Sequence, residues 1–242
     1  AAIMSVDLFG LPADYEALRG VADAEGMLLI ADAAQSFGAQ QGGRHVGALA
    51  PVTSTSFFPA KPLGCFGDGG AVFTDDEDMA AKLKSIRVHG QGKSKYDIDR
   101  IGLNARLDTL QAAILLAKIP AFAAEIDARN RLADVYDSVL SETVVTPIRV
   151  ADSRSAWAQY TIIVEGRDAV QKRLQEQGIP TAVYYPRPMH LQPAYEVYGE
   201  GEGSLPVSEA LAGKVMSLPM HGYMKKETAL RVANAVRDAV TE

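Results

Sequence analysis

The sequence predicts an α/β protein: a mostly parallel sheet with its helices, followed by a smaller α+β region. Three observations carry this prediction. A strand, a helix and an all-apolar strand succeed one another over residues 1–30, the order that builds parallel sheets. A further strand, from Thr53, ends in a lysine bracketed by prolines and followed by glycines. Beyond residue 130 short strands and helices alternate again, without the all-apolar run.

Taken in order, residues 1–9 (AAIMSVDLF) read as a short apolar strand that starts with no lead-in, so further sequence is expected upstream. Asp14–Glu25 reads as a helix with Leu18, Val21 and Ala22 on one face and Gly26 as its stop. Met27–Ile30 is a buried strand running into ADAAQS, and parallel sheets collect their ligand-binding residues at such carboxyl ends. Asp32 and Gln35 lie there. Gly42-Gly43 marks a turn. Thr53–Phe58 is a strand of β-branched, hydroxyl and aromatic residues. Pro59 and Pro62 then restrict the chain around Lys61, and Gly64, Gly67, Gly69 and Gly70 precede the strand Ala71–Phe73.

Thr74-Asp75-Asp76-Glu77 has the pattern of a capping box for a helix through Leu83 and Ile86. His89-Gly90-Gln91-Gly92 ends it, and a polar loop runs to Ile101. Leu110–Ile119 is a helix apolar nearly all round, the composition of a buried helix or a subunit interface, with Pro120 expected to break it. Ala121–Leu140 forms a second, more charged helix. The C-terminal part reads as strand Ala158–Val164, a helix from Asp168 to Gln177 with Asp168 and Gln171 as capping pair, strand Thr181–Tyr185, a Pro-rich loop, helix Ser208–Lys214, strand Met216–Leu218 and helix Lys226–Val240. Two domains are expected, residues 1–130 and 131–242.

Composition bounds the function. Of 242 residues, 48% are hydrophobic and 22% charged, the balance of a globular chain. A net charge of −6 argues against general affinity for nucleic acid or an anionic membrane. The single cysteine, Cys65, excludes an intrachain disulfide and points to the cytoplasm. No apolar run reads as long enough to span a bilayer.

Taken by residue type, Lys61 beyond one strand, Asp32 beyond another and Ser56 just before the lysine form a suggestive set. An amine, a carboxylate and a hydroxyl donor suit a cofactor carrying an aldehyde, a pyridine nitrogen and a phosphate. The bland alternative is a surface lysine in a Pro/Gly loop, and the glycines match neither a dinucleotide fingerprint nor a P-loop.

The segments ADAAQSFGA (31–39), TSFFPAKPLGCFGDGGA (55–71), HGQ (89–91), GLNARLDTLQAA (102–113), YYPRPMHLQPAY (184–195) and VMSLPMH (215–221) resemble the sugar-nucleotide aminotransferase family. This is the DegT/StrS type of fold type I pyridoxal-phosphate enzymes. The resemblance implies the aspartate aminotransferase-like fold of pyridoxal-phosphate-dependent transferases. Residues 1–130 then form the C-terminal portion of the large, cofactor-binding domain, and 131–242 the small domain. The family's preceding segment, with its cofactor-stacking aromatic residue and phosphate-binding turn, has no counterpart in these 242 residues.

The resemblance further implies pyridoxal 5′-phosphate as cofactor, with Lys61 bonded to its aldehyde and later carrying protons. Asp32 pairs with the ring nitrogen, Gln35 with the phenolic oxygen and Ser56 with the phosphate; Asn104 reaches the phosphate of a neighbouring subunit, so a homodimer with shared sites follows. Arg106, Tyr184 and His190 are implied on the sugar-nucleotide side. The reaction implied is transfer of an amino group from an amino acid, L-glutamate in the first instance, to a keto-sugar nucleotide for surface polysaccharide. The wording of the motifs is nearest the branch acting on 3-keto UDP-N-acetylhexosaminuronic acids. Two other readings stand beside it. Dehydratases of the same fold replace the lysine with histidine, against which Lys61 argues. A catalytically incomplete fragment would keep only a dimerisation or binding role.

Overall fold

The computed structural model describes residues 1–241. The chain divides into two compact units, residues 1–126 with 150–158 and residues 127–149 with 159–242. Segment 150–158 thus rejoins the first unit after the chain has entered the second.

The first unit holds a four-stranded sheet of β1 (Ala2–Val6), β2 (Leu28–Asp32), β5 (Val52–Ser56) and β6 (Gly70–Phe73), in that spatial order. The first three are parallel, with Val6 opposite Asp32 and Asp32 opposite Ser54; β6 runs antiparallel. Strand β1 is shorter than its apolar sequence implies, because the chain turns into a 3-10 turn at Leu8–Gly10. Its residues Met4 and Val6 are exposed and share one face, so that face of the strand is uncovered among the described residues. Strands β3 (Gln40–Gln41) and β4 (Arg44–His45) make a small antiparallel sheet with β7 (Ser153–Arg154), which ties the returning segment to this unit.

Helix α1 (Tyr15–Ala24) starts at Asp14, whose side chain accepts from the Ala17 N–H at 3.0 Å. Its core face is Tyr15, Leu18 and Ala22; Val21, assigned to that face from the sequence, is exposed. Helix α2 (Glu77–Ile86) is capped by Asp76, which accepts from Met79 N–H at 2.9 Å. Of the acidic and hydroxyl residues from Thr74 to Glu77, the last non-helical one caps. Thr74 only accepts from the Asp76 amide at 3.2 Å, so the Thr74–Glu77 capping box does not form.

Pro120 does not break the chain into two helices. Helix α3 is continuous over Thr109–Leu140 with Pro120 inside it. The missing proline N–H and the ring clash typically cost about 3 kcal/mol. Packing of Leu115, Phe122 and Ile126 against the core clusters holds the helix through that point. One consequence corrects the reading of composition. Uninterrupted, α3 is long and apolar enough to cross a membrane by length and composition alone.

The second unit pairs β8 (Tyr160–Ile163) with β9 (Val215–Leu218) antiparallel and packs them with α4 (Arg167–Glu176), α5 (Pro206–Ala212) and α6 (Lys226–Thr241). Tyr136, Tyr160, Ile162, Leu174, Met216 and Val236 are buried. Helix α4 begins after Gly166 in the left-handed region, with no side-chain cap. Asp168 instead pairs with Arg167 at 2.6 Å, and the Gln171 amide donates to Thr181 Oγ1 at 2.9 Å, so the expected capping pair is absent. The expected strand Thr181–Tyr185 reduces to one bridge, Ala182 with Ser217, after which the chain leaves toward Pro186 and Pro188.

Candidate active site

The parallel register brings the carboxyl ends of β2 and β5 side by side. Ala33 N–H donates to the Ser54 carbonyl at 2.8 Å, and Thr55 Oγ1 donates to the Ala33 carbonyl at 3.0 Å. The turn after β2 is therefore stitched to the end of β5, and these two strand ends with the segments that follow them carry Asp32, Gln35, Ser56 and Lys61.

Asp32 is partly buried, and one of its oxygens accepts from the Ala34 N–H at 3.0 Å. Its other oxygen takes no hydrogen bond among the described residues. Gln35 is 7% exposed, and its Oε1 accepts from the Phe9 N–H at 2.5 Å. That bond orients the amide, leaving both Nε2 hydrogens for a further acceptor. Ser56 Oγ accepts from the Phe58 N–H at 3.2 Å and keeps its own proton to donate. The half-buried Lys61 makes no side-chain hydrogen bond or ion pair among the described residues. Its backbone N–H donates to the Phe58 carbonyl at 2.9 Å, closing the turn that carries it.

The Lys61 loop is held from several sides. Cys65 N–H donates to the Phe57 carbonyl at 2.8 Å, and Gln111 on α3 accepts from the Phe66 N–H at 2.8 Å. Lys118, also on α3, donates to the Gly64 carbonyl. A Cβ on Gly64 would lie 2.5 Å from the Pro59 carbonyl oxygen, so only glycine lets the loop close this tightly.

The chemistry of this donor set fits pyridoxal phosphate. An open lysine amine, a carboxylate with an unengaged oxygen, an oriented amide donor and a hydroxyl are carried by the ends of two adjacent parallel strands and the segments that follow them. A cavity of about 950 Å³, bounded by β5, β6, α2 and Leu103–Leu107, includes none of these four residues. It is mostly apolar.

The other predicted residues lie elsewhere. Asn104 and Arg106 are exposed neighbours on the segment before α3, where Arg106 Nη2 donates to Asn104 Oδ1 at 3.0 Å and Asn104 bridges Val88. Tyr184 and His190 belong to the second unit. Tyr184 packs edge-on to Tyr185 at 5.6 Å between centroids. His190 Nε2 meets Glu209 Oε1 at 2.9 Å, with its ring only 10% exposed. Glu209 also accepts from the Gly203 and Leu205 amides, so this pair holds the Pro-rich loop.

Sequence reasoning missed Asp7, which the fold makes prominent. Its carboxyl is fully buried, and its two oxygens accept from Tyr15 OH at 2.7 Å, Ala13 N–H at 2.9 Å and Ser36 Oγ at 2.6 Å. Burial pushes this carboxyl above the ordinary aspartate range, while the Ser36, Ala13 and Tyr15 hydrogen bonds pull against the shift. Burial and the adjacent carboxylate keep the Tyr15 hydroxyl protonated as a donor. The one available signal was an acidic residue inside an apolar run ending at a glycine turn.

Comparison with known proteins matches the frame just described. Residues 1–237 match the DegT/DnrJ/EryC1/StrS aminotransferase family. A UDP-2-acetamido-2-deoxy-3-oxo-D-glucuronate aminotransferase of Pseudomonas aeruginosa is 46% identical over 224 residues, covering 92% of this chain and 61% of the relative. A dTDP-3-amino-3,4,6-trideoxy-alpha-D-glucose transaminase of Streptomyces venezuelae is 41% identical, covering 98% of this chain and 63% of that one. Among solved structures, a DegT DnrJ EryC1 StrS aminotransferase from Brucella abortus superposes with a TM-score of 0.96 at 46% identity, covering all of this chain and 65% of the other. S. venezuelae DesV in complex with a ketimine intermediate gives a TM-score of 0.96 at 40% identity, covering 100% and 65%. The chain thus spans somewhat under two thirds of the length of these relatives, and its fold is theirs. On the match over residues 1–237, the chain belongs to the DegT/DnrJ/EryC1/StrS aminotransferase family.

Proposed function

We propose that this chain carries the cofactor-bonding half of a pyridoxal-phosphate-dependent aminotransferase acting on a keto-sugar nucleotide. One observation carries the reading: a half-buried lysine amine with no partner among the described residues stands beyond β5, and a carboxylate with an open oxygen stands beyond the adjacent parallel β2.

Pyridoxal phosphate supplies an aldehyde for an amine and a ring that accepts electrons from the carbon bonded to that amine. The residues divide the remaining work. Lys61 Nζ would hold the group at its aldehyde carbon and would take a proton from the substrate carbon and return one as acid. Asp32 would hold a proton on the ring nitrogen. Gln35 Nε2 would donate to the phenolic oxygen, and Ser56 Oγ would donate to the phosphate.

Family membership supports an amino acid as donor, and L-glutamate is the donor we assign. The Pseudomonas aeruginosa relative's substrate class supports a 3-keto UDP-N-acetylhexosaminuronic acid as acceptor. Arg106 is then the cation offered to the sugar carboxylate, and Tyr184 and His190 belong to the loop that covers the sugar. We assign residues 1–130 to the large domain and 131–242 to the small one. A homodimer is supported by the first half of α3, where Leu110, Leu116 and Ile119 are exposed on an almost uncharged stretch. Asn104, exposed beside it, would serve the second copy's phosphate. The reading places the protein in the cytoplasm, acting on soluble substrates.

The test is covalent capture. Protein incubated with pyridoxal phosphate and reduced with borohydride should gain one cofactor mass, mapped to Lys61 and absent in Lys61→Ala. No adduct, or an adduct on another lysine that survives Lys61→Ala, overturns the assignment.

A further inference from the structure

Asp7 and Asp32 stand at the carboxyl ends of neighbouring parallel strands, joined by the Asp7 N–H to the Asp32 carbonyl at 3.1 Å. Their surroundings are opposite. Asp32 keeps one oxygen open, whereas Asp7 is sunk in the core with both oxygens engaged. Burying a carboxylate is unfavourable unless donors meet it, and a chain that needed only packing here would do as well with an apolar side chain.

The donors identify what the carboxylate joins. Ala13 comes from the turn after β1 and Tyr15 from α1, both on the Asp7 side. Ser36 comes from the turn after β2, 29 residues away, and is the side-chain link from Asp7 to the segment bearing Asp32 and Gln35. The Asp7 side is itself clamped. Ala156 N–H donates to the Gly10 carbonyl at 2.9 Å, and a Cβ on Gly10 would lie 2.8 Å from the Trp157 nitrogen. Phe9, in that same turn, orients the Gln35 amide. A firm turn thus grips a ligand-bearing one.

We propose that Asp7 is a positioning residue: through Ser36 Oγ it holds the turn 32–36 so that Asp32 and Gln35 present their free atoms together. The ligand consequence rests on the function proposed above; the mechanical one does not. Three variants separate positioning from mere stability. Ser36→Ala removes the link to the turn. Tyr15→Phe removes a hydrogen bond to the same carboxylate from the other side. Asp7→Asn keeps a link, since an amide can donate to the Ser36 hydroxyl.

The measurements are amide hydrogen exchange over residues 33–37 without ligand, the melting temperature, and the dissociation constant for pyridoxal phosphate. Ser36→Ala should raise exchange about tenfold and weaken cofactor binding about tenfold, the scale of one hydrogen bond to a charged group. Tyr15→Phe should lower the melting temperature comparably while leaving both other readouts at wild-type values, and Asp7→Asn should recover most of the loss. Unchanged exchange in Ser36→Ala, or an equal rise in Tyr15→Phe, overturns the proposal. If wild-type protein captures no cofactor, the proposed function fails instead, and the exchange comparison alone decides the role of Asp7.

Discussion

The two units use their polar side chains in contrasting ways. At the sheet end of the first unit, Lys61 has no side-chain partner among the described residues, one Asp32 oxygen is open and the Gln35 amide nitrogen is unengaged. In the second unit several polar side chains pair with one another. Tyr160 donates to Asp137, Arg149 bridges Asp134 and Asp137, His190 meets Glu209, and Lys214 pairs with Glu165. Groups left open on a firmly held frame are poised for a ligand. Groups closed on each other stabilise loops. The contrast supports the cofactor assignment proposed above for the first unit, while the pairs named in the second unit tie its own segments together.

The contrast can be broken most sharply at Asp32. Asp32→Asn keeps the side chain's size and its contact with Ala34 but removes the charge. Removing one member of a buried pair costs roughly 3–5 kcal/mol, so turnover should fall by roughly two to four orders of magnitude while borohydride capture at Lys61 persists. Wild-type turnover in this variant would mean that the open carboxylate does not face the cofactor. Leu174→Ala, in the core of the second unit, should lower unfolding free energy by about 2–5 kcal/mol in chemical denaturation. Capture at Lys61 below the melting transition should be unaffected if the units divide the work as described.

Glu209 offers a pH-dependent test. Its hydrogen bonds, to His190 first and then to the Gly203 amide, hold the carboxyl below the ordinary glutamate range. A carboxylate depressed in the folded state contributes stability above its unfolded pKa and loses it as pH falls through the folded value. The melting temperature of wild type should therefore exceed that of Glu209→Gln at neutral pH, with the gap closing on acidification below the ordinary glutamate range. A gap independent of pH would argue that the pair is not ionic. Smallest of all, Lys214→Ala removes an ion pair whose two side chains are 41% and 81% exposed, and should change stability by less than about 1 kcal/mol.

Much of the first unit was legible because its signals are local. The strand–helix–strand order, the helix beginning at about Asp14, the Gly26 stop and the proline-bracketed lysine each depend on residues within one turn or strand. The positions of Asp32 and Ser56 at strand ends followed from the same patterns. Local signals also misled where several neighbours could play one part. Thr74 and Glu77 spell a capping box, yet Asp76 caps because the helix starts one residue beyond it. Asp168 and Gln171 have cap spacing, but each found a different partner.

By itself the sequence determined the order of strands and helix in the first unit and put Asp32 and Ser56 at or near the ends of two of its strands, since apolar runs and turn residues act through short-range sterics and hydrogen bonding. Tertiary structure alone decided what Asp7 does, that α3 runs on through Pro120, and that residues 150–158 return to the first unit. Those outcomes depend on partners far away along the chain, such as Ser36 for Asp7 and the apolar cores for α3. Burial and hydrogen-bond satisfaction at such separations depend on the whole packed arrangement, and no window of sequence contains it.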